Sequence, residues 1–465
     1  MSSFVSPDQV RDRFSQSMSA MYKTEVPQYG ALLELVAQIN QATLDAQPAL
    51  RQSLTEAGEL HRLDVERHGA IRLGTPEELA TMRRIFRVMG MFPVGYYDLS
   101  VAGVPVHATA FRPVSDEALR LNPFRVFTSL LRLELIADAG LRAQARDILA
   151  KRRIFTDEAL ALTARFESEG GLSEAQADAF VREVTETFRW HSEATVSLDT
   201  YRQLHAAHRL VADVVSFKGP HINHLTPRTL DIDAAQAEMP RRGLAAKDVV
   251  EGPPRRRHPI LLRQTSFKAL EETIVFTQGG DAGSHTARFG EIEQRGMALT
   301  RKGRALYDQL LAQVRSMEGA GSAAADYGQR LAAAFADFPD EPEVLLDQAL
   351  AFFRHHVADE AGFAARAASG APFDLAALRR DGIVGARPIV YEDFLPVSAA
   401  GIFQSNLGGE EQKSYAANAA QAAFEQALGA PVADEIALYE ASQAASVEAL
   451  RVRYAELAGA DAGAR

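Results

Sequence analysis

The chain has no cysteine among its 465 residues. This absence excludes disulfide bonds, a thiolate nucleophile, iron–sulfur clusters and thiolate metal sites. A protein-bound metal must therefore be held by His, Asp or Glu, and the chain carries 12 His and 61 acidic side chains. The candidate metal-ligating side chains are therefore histidines and carboxylates.

Long basic runs and long apolar runs are also missing. The net charge is −11, and the densest basic stretch is "PRRRHP" at 254–259, a short loop between prolines. This balance argues against nucleic acid as a partner. No 18 apolar residues run uninterrupted, and "MSSFVSPDQVRDRFSQ" does not have the pattern of a secretory signal. We therefore expect a soluble, cytoplasmic, globular protein with no membrane partner and leave the oligomeric state open.

Hydrophobic periodicity predicts an α+β fold in which two βαβββ-like halves form a curved mixed sheet around a metal site, with large helical insertions and helical termini. The predicted regions are a helical lead-in (1–60), a first βαβββ-like half (61–138), a helical insertion (139–212), a second βαβββ-like half (213–300), a helical region (301–380), a strand-like pocket segment (381–410) and C-terminal helices (411–465).

One short spacing supports a duplication. "HGAIR" (68–72) and "HLTPR" (224–228) both place an arginine four residues after a histidine, on the predicted first strand of each half. A match of two residues has little weight by itself. Together with the matching order of elements, it suggests that the two halves are repeats of one unit.

The segment "RFGEIEQRG" (288–296) predicts a strand with an unusual face. Strand side chains alternate, so Glu291, Glu293 and Arg295 share one side. Two adjacent carboxylates repel one another, and a single arginine is little compensation if the face is buried. A bound cation would supply the missing positive charge.

His68, His224 and Glu291 are the favoured ligands for such a cation. Two imidazoles and one carboxylate can bind one face of a divalent metal and leave positions open, which is the arrangement of non-heme Fe(II) oxygen chemistry. The alternative interpretation is that both histidines are ordinary polar residues and that Glu291 pairs with Arg295. The residue types alone do not distinguish iron from manganese, cobalt or zinc.

A rival triad is formed by "HSE" (191–193), His258 and "RQTS" (263–266), which imitates the ligands of jelly-roll oxygenases. That motif needs His191 and Glu193 on one face of an extended segment. The preceding "EVTETFRW" has a helical pattern, and residues two apart on a helix point away from each other. We therefore disfavour this triad.

The remaining histidines have weaker claims to a metal. His205 and His208 lie three apart on a predicted helix and have no acid partner placed by sequence. His221 is three residues before His224, which in a regular strand puts the two on opposite faces. The adjacent His355 and His356 are predicted on a helix surface.

"EIEQRG" resembles the "EIIQR" signature of 4-hydroxyphenylpyruvate dioxygenase and hydroxymandelate synthase, and "HGAIRLGTPEEL" and "NHLTPRTLDID" resemble first strands of vicinal oxygen chelate modules. More specifically, "ERHGAIRLGT", "KGPHINHLTPRTLDID", "RFGEIEQRG" and "FLPVSAAGIFQSNL", in this order, resemble the 2-oxoadipate dioxygenase/decarboxylase family, also called 2-hydroxyglutarate synthase. The resemblance covers almost the whole chain.

This resemblance implies Fe(II) bound by His68, His224 and Glu291, with Glu293 left to a neighbouring arginine or to solvent. It also implies Arg72 as a contact of the substrate carboxylate and Val397 at the pocket wall. The implied reaction converts 2-oxoadipate and O₂ to 2-hydroxyglutarate and CO₂, in lysine catabolism. The substrate supplies the reducing electrons, so no 2-oxoglutarate is consumed.

The position of Arg72 adds an inference from the residues themselves. It lies four positions along the strand from His68, about 13 Å away and on the same face, so its side chain can lean back over the metal. It can therefore bind an anion a few carbons from the metal, as in a dicarboxylic 2-oxoacid.

Two other classes of function stay open. One is a metal-dependent isomerase or lyase on the same scaffold, and the other is a non-catalytic binding protein.

Overall fold

The structure is a computed structural model that describes residues 4–268, 271–277, 282–286, 288–316, 324–395 and 411–462. It has a mixed α+β architecture, as the sequence predicts. In the described residues, no helix has both the length and the apolar character needed to cross a membrane.

The chain begins with helices and returns to helices between groups of strands. The helices in chain order are α1 (Pro7–Glu25), α2 (Pro27–Ala46), α3 (Pro48–Glu56), α4 (Arg62–Val65), α5 (Pro76–Val88), α6 (Asp116–Leu121), α7 (Ala139–Ala150), α8 (Asp157–Glu169), α9 (Glu174–Thr187), α10 (Leu198–Ala207), α11 (Arg209–Ser216), α12 (Ile232–Glu238), α13 (Arg301–Ser316), α14 (Ala324–Ala334), α15 (Pro342–Asp347), α16 (Glu360–Ala368), α17 (Leu375–Arg380), α18 (Glu411–Leu428) and α19 (Glu435–Ala462).

The strands form one larger sheet and three pairs within the described residues. The sheet has the order β2-β3-β4-β1-β5, and the pairs are β6-β9, β7-β8 and β10-β11. The strands are β1 (Arg67–Leu73), β2 (Phe92–Asp98), β3 (Val106–Arg112), β4 (Arg125–Leu131), β5 (Leu225–Pro227), β6 (Leu262–Ser266), β7 (Glu271–Val275), β8 (Ala282–Thr286), β9 (Glu291–Arg295), β10 (Phe353–Val357) and β11 (Val384–Pro388).

Strand β1 lies inside the larger sheet, between β4 and β5. It runs parallel to β4, with His68 opposite Arg125, and antiparallel to β5, with His68 opposite Thr226. After β1 the chain turns into α5, where the Thr75 hydroxyl caps the helix by accepting the Glu78 N–H at 3.2 Å. β2, β3 and β4 then follow as an antiparallel meander that returns to β1.

The segment 213–300 contributes to more than one sheet. Its first strand, β5, joins β1 in the larger sheet, and an isolated parallel bridge links Arg228 to Glu293 of β9. β9 pairs with β6, and isolated antiparallel bridges place Ala246 and Glu251 along β6. β7 and β8 pair only with each other among the described strands, so the predicted strand "ETIVFTQ", which contains part of β7, is not part of the β6–β9 pair.

Gly69 in "HGAIR" is required by a close approach of two chain segments. A side chain built there would collide with Ile222 and would lie 3.3 Å from the carbonyl oxygen of His224. The Asn223 N–H donates to the Ala70 carbonyl at 3.0 Å in the same place. The glycine therefore lets the segment that carries His224 lie against the strand that carries His68.

Two compact units are distinguished within the described residues. The first comprises Met1–Gly252, Arg263–Gln294 and Asp393–Ala433, and the second comprises Pro253–Leu262, Arg295–Glu392 and Asp434–Arg465. In the first unit, side chains of α1, α2, α5 and α9 pack with the sheet in one apolar cluster that includes Phe14, Ile71, Phe86 and Phe180. In the second, Phe363, Leu378 and Tyr454 form a smaller cluster.

The second unit corrects one expectation from the sequence. The region 301–380 is not wholly helical, because it contains β10, which pairs antiparallel with β11. His355 and His356 therefore lie on a strand and not on a helix surface. Their side chains alternate across the strand, and the adjacent aromatic Phe353 and the β-branched Val357 favour this conformation. The proposed pocket-wall residue Val397 lies outside the described residues.

Candidate metal centre

Three side chains predicted as metal ligands converge in the first unit. His68, His224 and Glu291 each offer one ligand atom, and these atoms all lie within 4.8 Å of one another. In the described part of the chain, this is the group of His and acidic residues found in a metal-binding arrangement. All three side chains are buried.

The sheet explains why residues so distant in sequence meet. His68 comes from β1, His224 directly precedes β5, and Glu291 begins β9. β5 lies beside β1, and the bridge between Arg228 and Glu293 brings β9 alongside the continuation of β5. Three neighbouring chain segments therefore each present one polar side chain at the same point.

His68 lies between two carboxylates of β9. Its Nε2 is 3.0 Å from Oε1 of Glu291, and its Nδ1 is 2.9 Å from Oε2 of Glu293. The predicted shared face of Glu291 and Glu293 is thus confirmed by their common contact with one imidazole. Arg295 Nη1 donates to the carbonyl oxygen of Tyr391 at 2.9 Å.

Glu293 belongs to a buried ionic network behind the triad. Arg125 Nη1 lies 3.4 Å from Glu293 Oε1, and Arg125 also donates to Glu66 at 3.0 Å. Arg228 donates to the other oxygen of Glu66 at 3.0 Å. Because Glu293 is fully buried, its charge is balanced by an arginine rather than by solvent.

Two neutral donors orient Glu291. The Thr226 hydroxyl donates to Glu291 Oε1 at 3.0 Å, and the Gln264 amide donates to the same oxygen at 2.8 Å. Thr226 lies two residues after His224, and Gln264 lies on β6, the pairing partner of β9. The carboxylate is therefore held in place from two sides.

Burial and charge give the two histidines opposite protonation tendencies. Burial lowers the pKa of His224 to about 4, although Glu291 opposes the shift. Burial also acts to lower the pKa of His68, but the charges and hydrogen bonds of Glu293 and Glu291 outweigh it and raise that pKa above its ordinary value. For Glu291, burial would raise the pKa, but His224 and His68 hold it below its ordinary range.

These properties fit a divalent cation. His224 Nε2 is 3.7 Å from Glu291 Oε1, and His68 Nε2 is 3.0 Å from the same atom. Ligand atoms about 2.1 Å from a metal are about 3 Å apart when they occupy adjacent positions, so a small closure of the triad suffices. In the arrangement seen, each ring nitrogen of His68 faces one carboxylate, Nε2 facing Glu291 and Nδ1 facing Glu293, and a metal on Nε2 would take the place of a proton there. Glu293 would then accept the remaining Nδ1–H, the arrangement that fixes the tautomer of metal-bound histidine.

Aromatic rings enclose the same side chains. The Phe394 ring meets the His68 ring edge-on, with centroids 5.0 Å apart, and Phe289 lies 4.8 Å from the His224 ring. Both phenylalanines belong to the first unit. They restrict the rotation of the imidazoles and keep water from their outer sides.

Arg72 occupies the other end of β1 from His68. Its Nη1 donates to Asp213 Oδ2 at 2.7 Å, and its side chain is 26% exposed. The positive charge of Arg72 also contributes to the lowered pKa of His224. Arg72 is therefore near enough to act electrostatically on the triad and is accessible to a small anion.

The rival histidines have other environments. His191 and Glu193 follow the end of α9 in a non-helical segment, so the reason given above for disfavouring them was wrong. His191 lies 3.5 Å from Glu186 instead. His205 lies in α10, whereas His208 is the residue between α10 and α11 and accepts the Leu210 N–H at 3.0 Å. They are not part of the metal-binding group found in the described residues.

His221 and His224 contact different acids, although residues 221–224 are not part of a strand and the strand alternation therefore does not apply to them. His221 Nε2 is 3.4 Å from Asp213 Oδ1, whereas His224 faces Glu291. Sequence reasoning missed Thr226, Gln264 and Asp213. The first had a usable signal, because the predicted strand places Thr226 on the same face as His224 by the period of two. Gln264 and Asp213 had none, because their contacts depend on tertiary packing.

Comparisons with known proteins agree with this geometry. The family model of 2-oxoadipate dioxygenase/decarboxylase matches residues 14–406. Two curated proteins with that name, from Pseudomonas putida and Escherichia coli, are 61% and 57% identical to the chain over 96% and 95% of its length, and these matches cover 97% and 98% of the relatives. A crystal structure of the hydroxyglutarate synthase from Pseudomonas putida in complex with 2-oxoadipate superposes with a TM-score of 0.90 at 58% identity, over 97% of this chain and 99% of that one. The chain is therefore an enzyme of the 2-oxoadipate dioxygenase/decarboxylase family.

Proposed function

We propose that the protein is an Fe(II)-dependent dioxygenase that converts 2-oxoadipate and O₂ to 2-hydroxyglutarate and CO₂. The observation that supports the proposal is that the buried His68, His224 and Glu291 bring one ligand atom each within 4.8 Å of one another in a chain of this family. One substrate and one O₂ give one product and one CO₂, so no second oxoacid is needed. On the family resemblance, we assign the reaction to lysine catabolism.

His68 Nε2, His224 Nε2 and a Glu291 oxygen would hold the metal. Bound Fe(II) supplies the chelation of the 2-oxoacid and the one-electron chemistry through which O₂ reacts with it. The protein groups around the triad keep the ligands in register. Glu293 Oε2, 2.9 Å from Nδ1 of His68, would accept its Nδ1–H once Nε2 holds the metal, while Thr226 and Gln264 hold Glu291 through hydrogen bonds at 3.0 and 2.8 Å.

Arg72 would bind the carboxylate that does not react. It shares β1 with His68, and a guanidinium offers several N–H donors in a planar fork that suits a carboxylate. A molecule with a 2-oxoacid at one end and a carboxylate at the other would therefore span the strand from the metal to Arg72. This is the geometry that favours 2-oxoadipate over an oxoacid with an apolar tail.

We further propose that the sheet consists of two related βαβββ modules of the vicinal oxygen chelate type. Within 67–131, β1 is parallel to β4, and the order is β2-β3-β4-β1. Within 225–295, the Arg228–Glu293 bridge is also parallel, and the order continues through β9 and β6 to the bridges at Ala246 and Glu251. His68 and His224 would then be equivalent ligands, one from each module.

The test is oxygen uptake by protein reconstituted anaerobically with Fe(II) and then mixed with 2-oxoadipate and air. We expect O₂ consumed, CO₂ released and 2-hydroxyglutarate formed in a ratio of 1:1:1, with turnover lost in Glu291→Ala. Substrate conversion without O₂ consumption would instead support an isomerase or a lyase. Failure to bind metal at all would contradict the proposed metal dependence.

A further inference from the structure

Arg72 is held by a carboxylate that the metal site does not use. Its Nη1 donates to Asp213 Oδ2 at 2.7 Å, and Asp213 lies on α11, outside the strands that carry the triad. The Asp213 side chain is 7% exposed, compared with 26% for Arg72. The carboxylate is therefore more deeply buried than the arginine that it holds.

The second oxygen of Asp213 is also occupied. His285 Nε2 lies 2.8 Å from Asp213 Oδ1, and His221 Nε2 lies 3.4 Å from it. The Tyr201 hydroxyl is 2.8 Å from His285 Nδ1. Tyr201, His285, Asp213 and Arg72 therefore form a continuous hydrogen-bonded chain.

Burial keeps this chain of hydrogen bonds intact. Tyr201, Asp213 and His285 are all buried. Burial alone would raise the pKa of Asp213, but His221, Arg72 and the hydrogen bonds hold it well below its ordinary value. The charged form of Asp213 is therefore favoured, and a neutral variant would remove the negative charge that faces Arg72.

Aromatic packing fixes the histidines. Trp190 meets His221 edge-on at 4.6 Å between ring centroids and lies parallel to His285 at 6.3 Å. Phe217 lies 4.8 Å from His285. The supporting residues Tyr201, Asp213 and His285 come from α10, α11 and β8. Two helices that precede β5 and one strand of the β7–β8 hairpin therefore both contribute to the surroundings of Arg72.

We propose that Asp213, His285 and Tyr201 are positioning residues that fix the Arg72 guanidinium for the remote carboxylate and so set the preference for dicarboxylic over monocarboxylic 2-oxoacids. This inference rests on the proposed function, because it assigns Arg72 to the substrate. An arginine that is already ordered loses less side-chain freedom when it binds an anion. The residues named here act through Arg72 and do not touch the reacting atoms.

The experiment compares 2-oxoadipate with 2-oxohexanoate, which has the same number of carbons and lacks the remote carboxylate. The ratio of their kcat/KM values is measured by O₂ uptake in the parent protein, Arg72→Ala, Asp213→Asn and the double variant. We expect Asp213→Asn to lower the ratio roughly tenfold, through a higher KM for 2-oxoadipate. The kcat/KM for 2-oxohexanoate and the Fe(II) affinity should stay unchanged, and the double variant should be no worse than Arg72→Ala.

Two further variants keep the test decisive. Tyr201→Phe retains Asp213 and removes only the hydroxyl, so it should fold even if Asp213→Asn does not and should lower the ratio by a smaller factor. Glu78→Gln breaks a comparable buried ion pair, with Arg152 at 2.7 Å, and should lower thermal stability without changing the ratio.

Three outcomes would overturn the inference. An equal loss of kcat/KM for both substrates in Asp213→Asn would reduce the residue to a structural role. Tighter binding of 2-oxoadipate by that variant, measured anaerobically by calorimetry, would mean that Asp213 only competes with the substrate for Arg72. An unchanged ratio in Arg72→Ala would remove the premise, and so would contradict the proposed role of Arg72 itself.

Discussion

The two segments "HGAIR" and "HLTPR" share a spacing but differ in what their arginines do. His68 and His224 converge on Glu291. Arg72 pairs with Asp213 and is 26% exposed, whereas Arg228 is 6% exposed and pairs with Glu66. The two segments share a spacing, but the tertiary surroundings decide the role of each arginine. Arg72 is partly exposed, whereas Arg228 is part of the buried ionic network.

The difference follows from the strands. β1 runs for seven residues, so Arg72 is still on a regular strand when it reaches the end of the sheet. β5 has only three residues and ends at Pro227, and the next residue, Arg228, bridges to Glu293 on β9. A repeat of two residues therefore predicts a shared fold position, and it does not predict a shared chemical role.

The largest expected effect is the loss of metal binding when Glu291, the residue that both His68 and His224 approach, is replaced. Glu291→Ala removes the only carboxylate of the triad and leaves two imidazoles with no anion to balance the metal charge. We expect loss of stoichiometric Fe(II) in anaerobic equilibrium dialysis and loss of turnover. Glu271→Ala, an exposed acid on β7, is the control and should retain both. Full Fe(II) content in Glu291→Ala would show that the metal lies elsewhere.

Substitution of the two arginines should separate binding from folding. Arg72→Ala should raise the KM for 2-oxoadipate about 10- to 100-fold, the effect of losing a charge-assisted hydrogen bond, with Fe(II) affinity unchanged. Arg228→Ala should instead lower the free energy of unfolding by about 3 to 5 kcal/mol, because it leaves Glu66 short of one buried partner. Steady-state kinetics and chemical denaturation measure the two effects.

The proposed difference between Arg72 and Arg228 would be contradicted if Arg72→Ala and Arg228→Ala had the same effects on KM and on the free energy of unfolding. Equal iron loss in Arg72→Ala would argue against a substrate role for this residue. Arg72→Lys sharpens the point, since it keeps the charge and loses the planar fork, so its KM should lie between those of the parent protein and Arg72→Ala.

A smaller effect is expected at the acid behind His68. Glu293→Gln keeps the shape of the side chain and removes the charge that faces Nδ1 of His68. We expect Fe(II) affinity to fall about 10- to 100-fold, less than in Glu291→Ala, because only the orientation and basicity of one ligand change. The d–d spectrum of the Co(II)-substituted protein should shift as well. Unchanged affinity and an unchanged spectrum would mean that Glu293 serves only the ionic network.

The smallest effect concerns a buried histidine outside the triad, His107 on β3. Burial, aided by Arg132, lowers its pKa from an ordinary 6.5 to about 4. Between these values the unfolded chain binds a proton that the folded chain does not, so stability is fully present above pH 6.5 and is lost as the pH falls toward 4. The loss is at most roughly 3 kcal/mol. Unfolding of the parent protein and His107→Gln across this range should show a shallower slope for the variant, and identical slopes would refute the shift.

The sequence was informative where chemistry depends on strand periodicity. Alternation placed Glu291 and Glu293 on one face, and the structure agrees, because both carboxylates contact the His68 imidazole. It was misleading at His355 and His356, which lie in a region predicted to be helical, whereas the structure has β10 there. It was silent on Asp213, His285 and Gln264, because their roles depend on contacts between elements far apart in the chain.

The most direct test of the account is a crystal structure of the protein grown anaerobically with Fe(II) and 2-oxoadipate. We expect the metal on His68, His224 and Glu291, the 2-oxoacid end of the substrate on the metal, and the remote carboxylate on Arg72 with the Arg72–Asp213 contact retained. A metal on other side chains, or a remote carboxylate that contacts neither nitrogen of the Arg72 fork, would contradict the account.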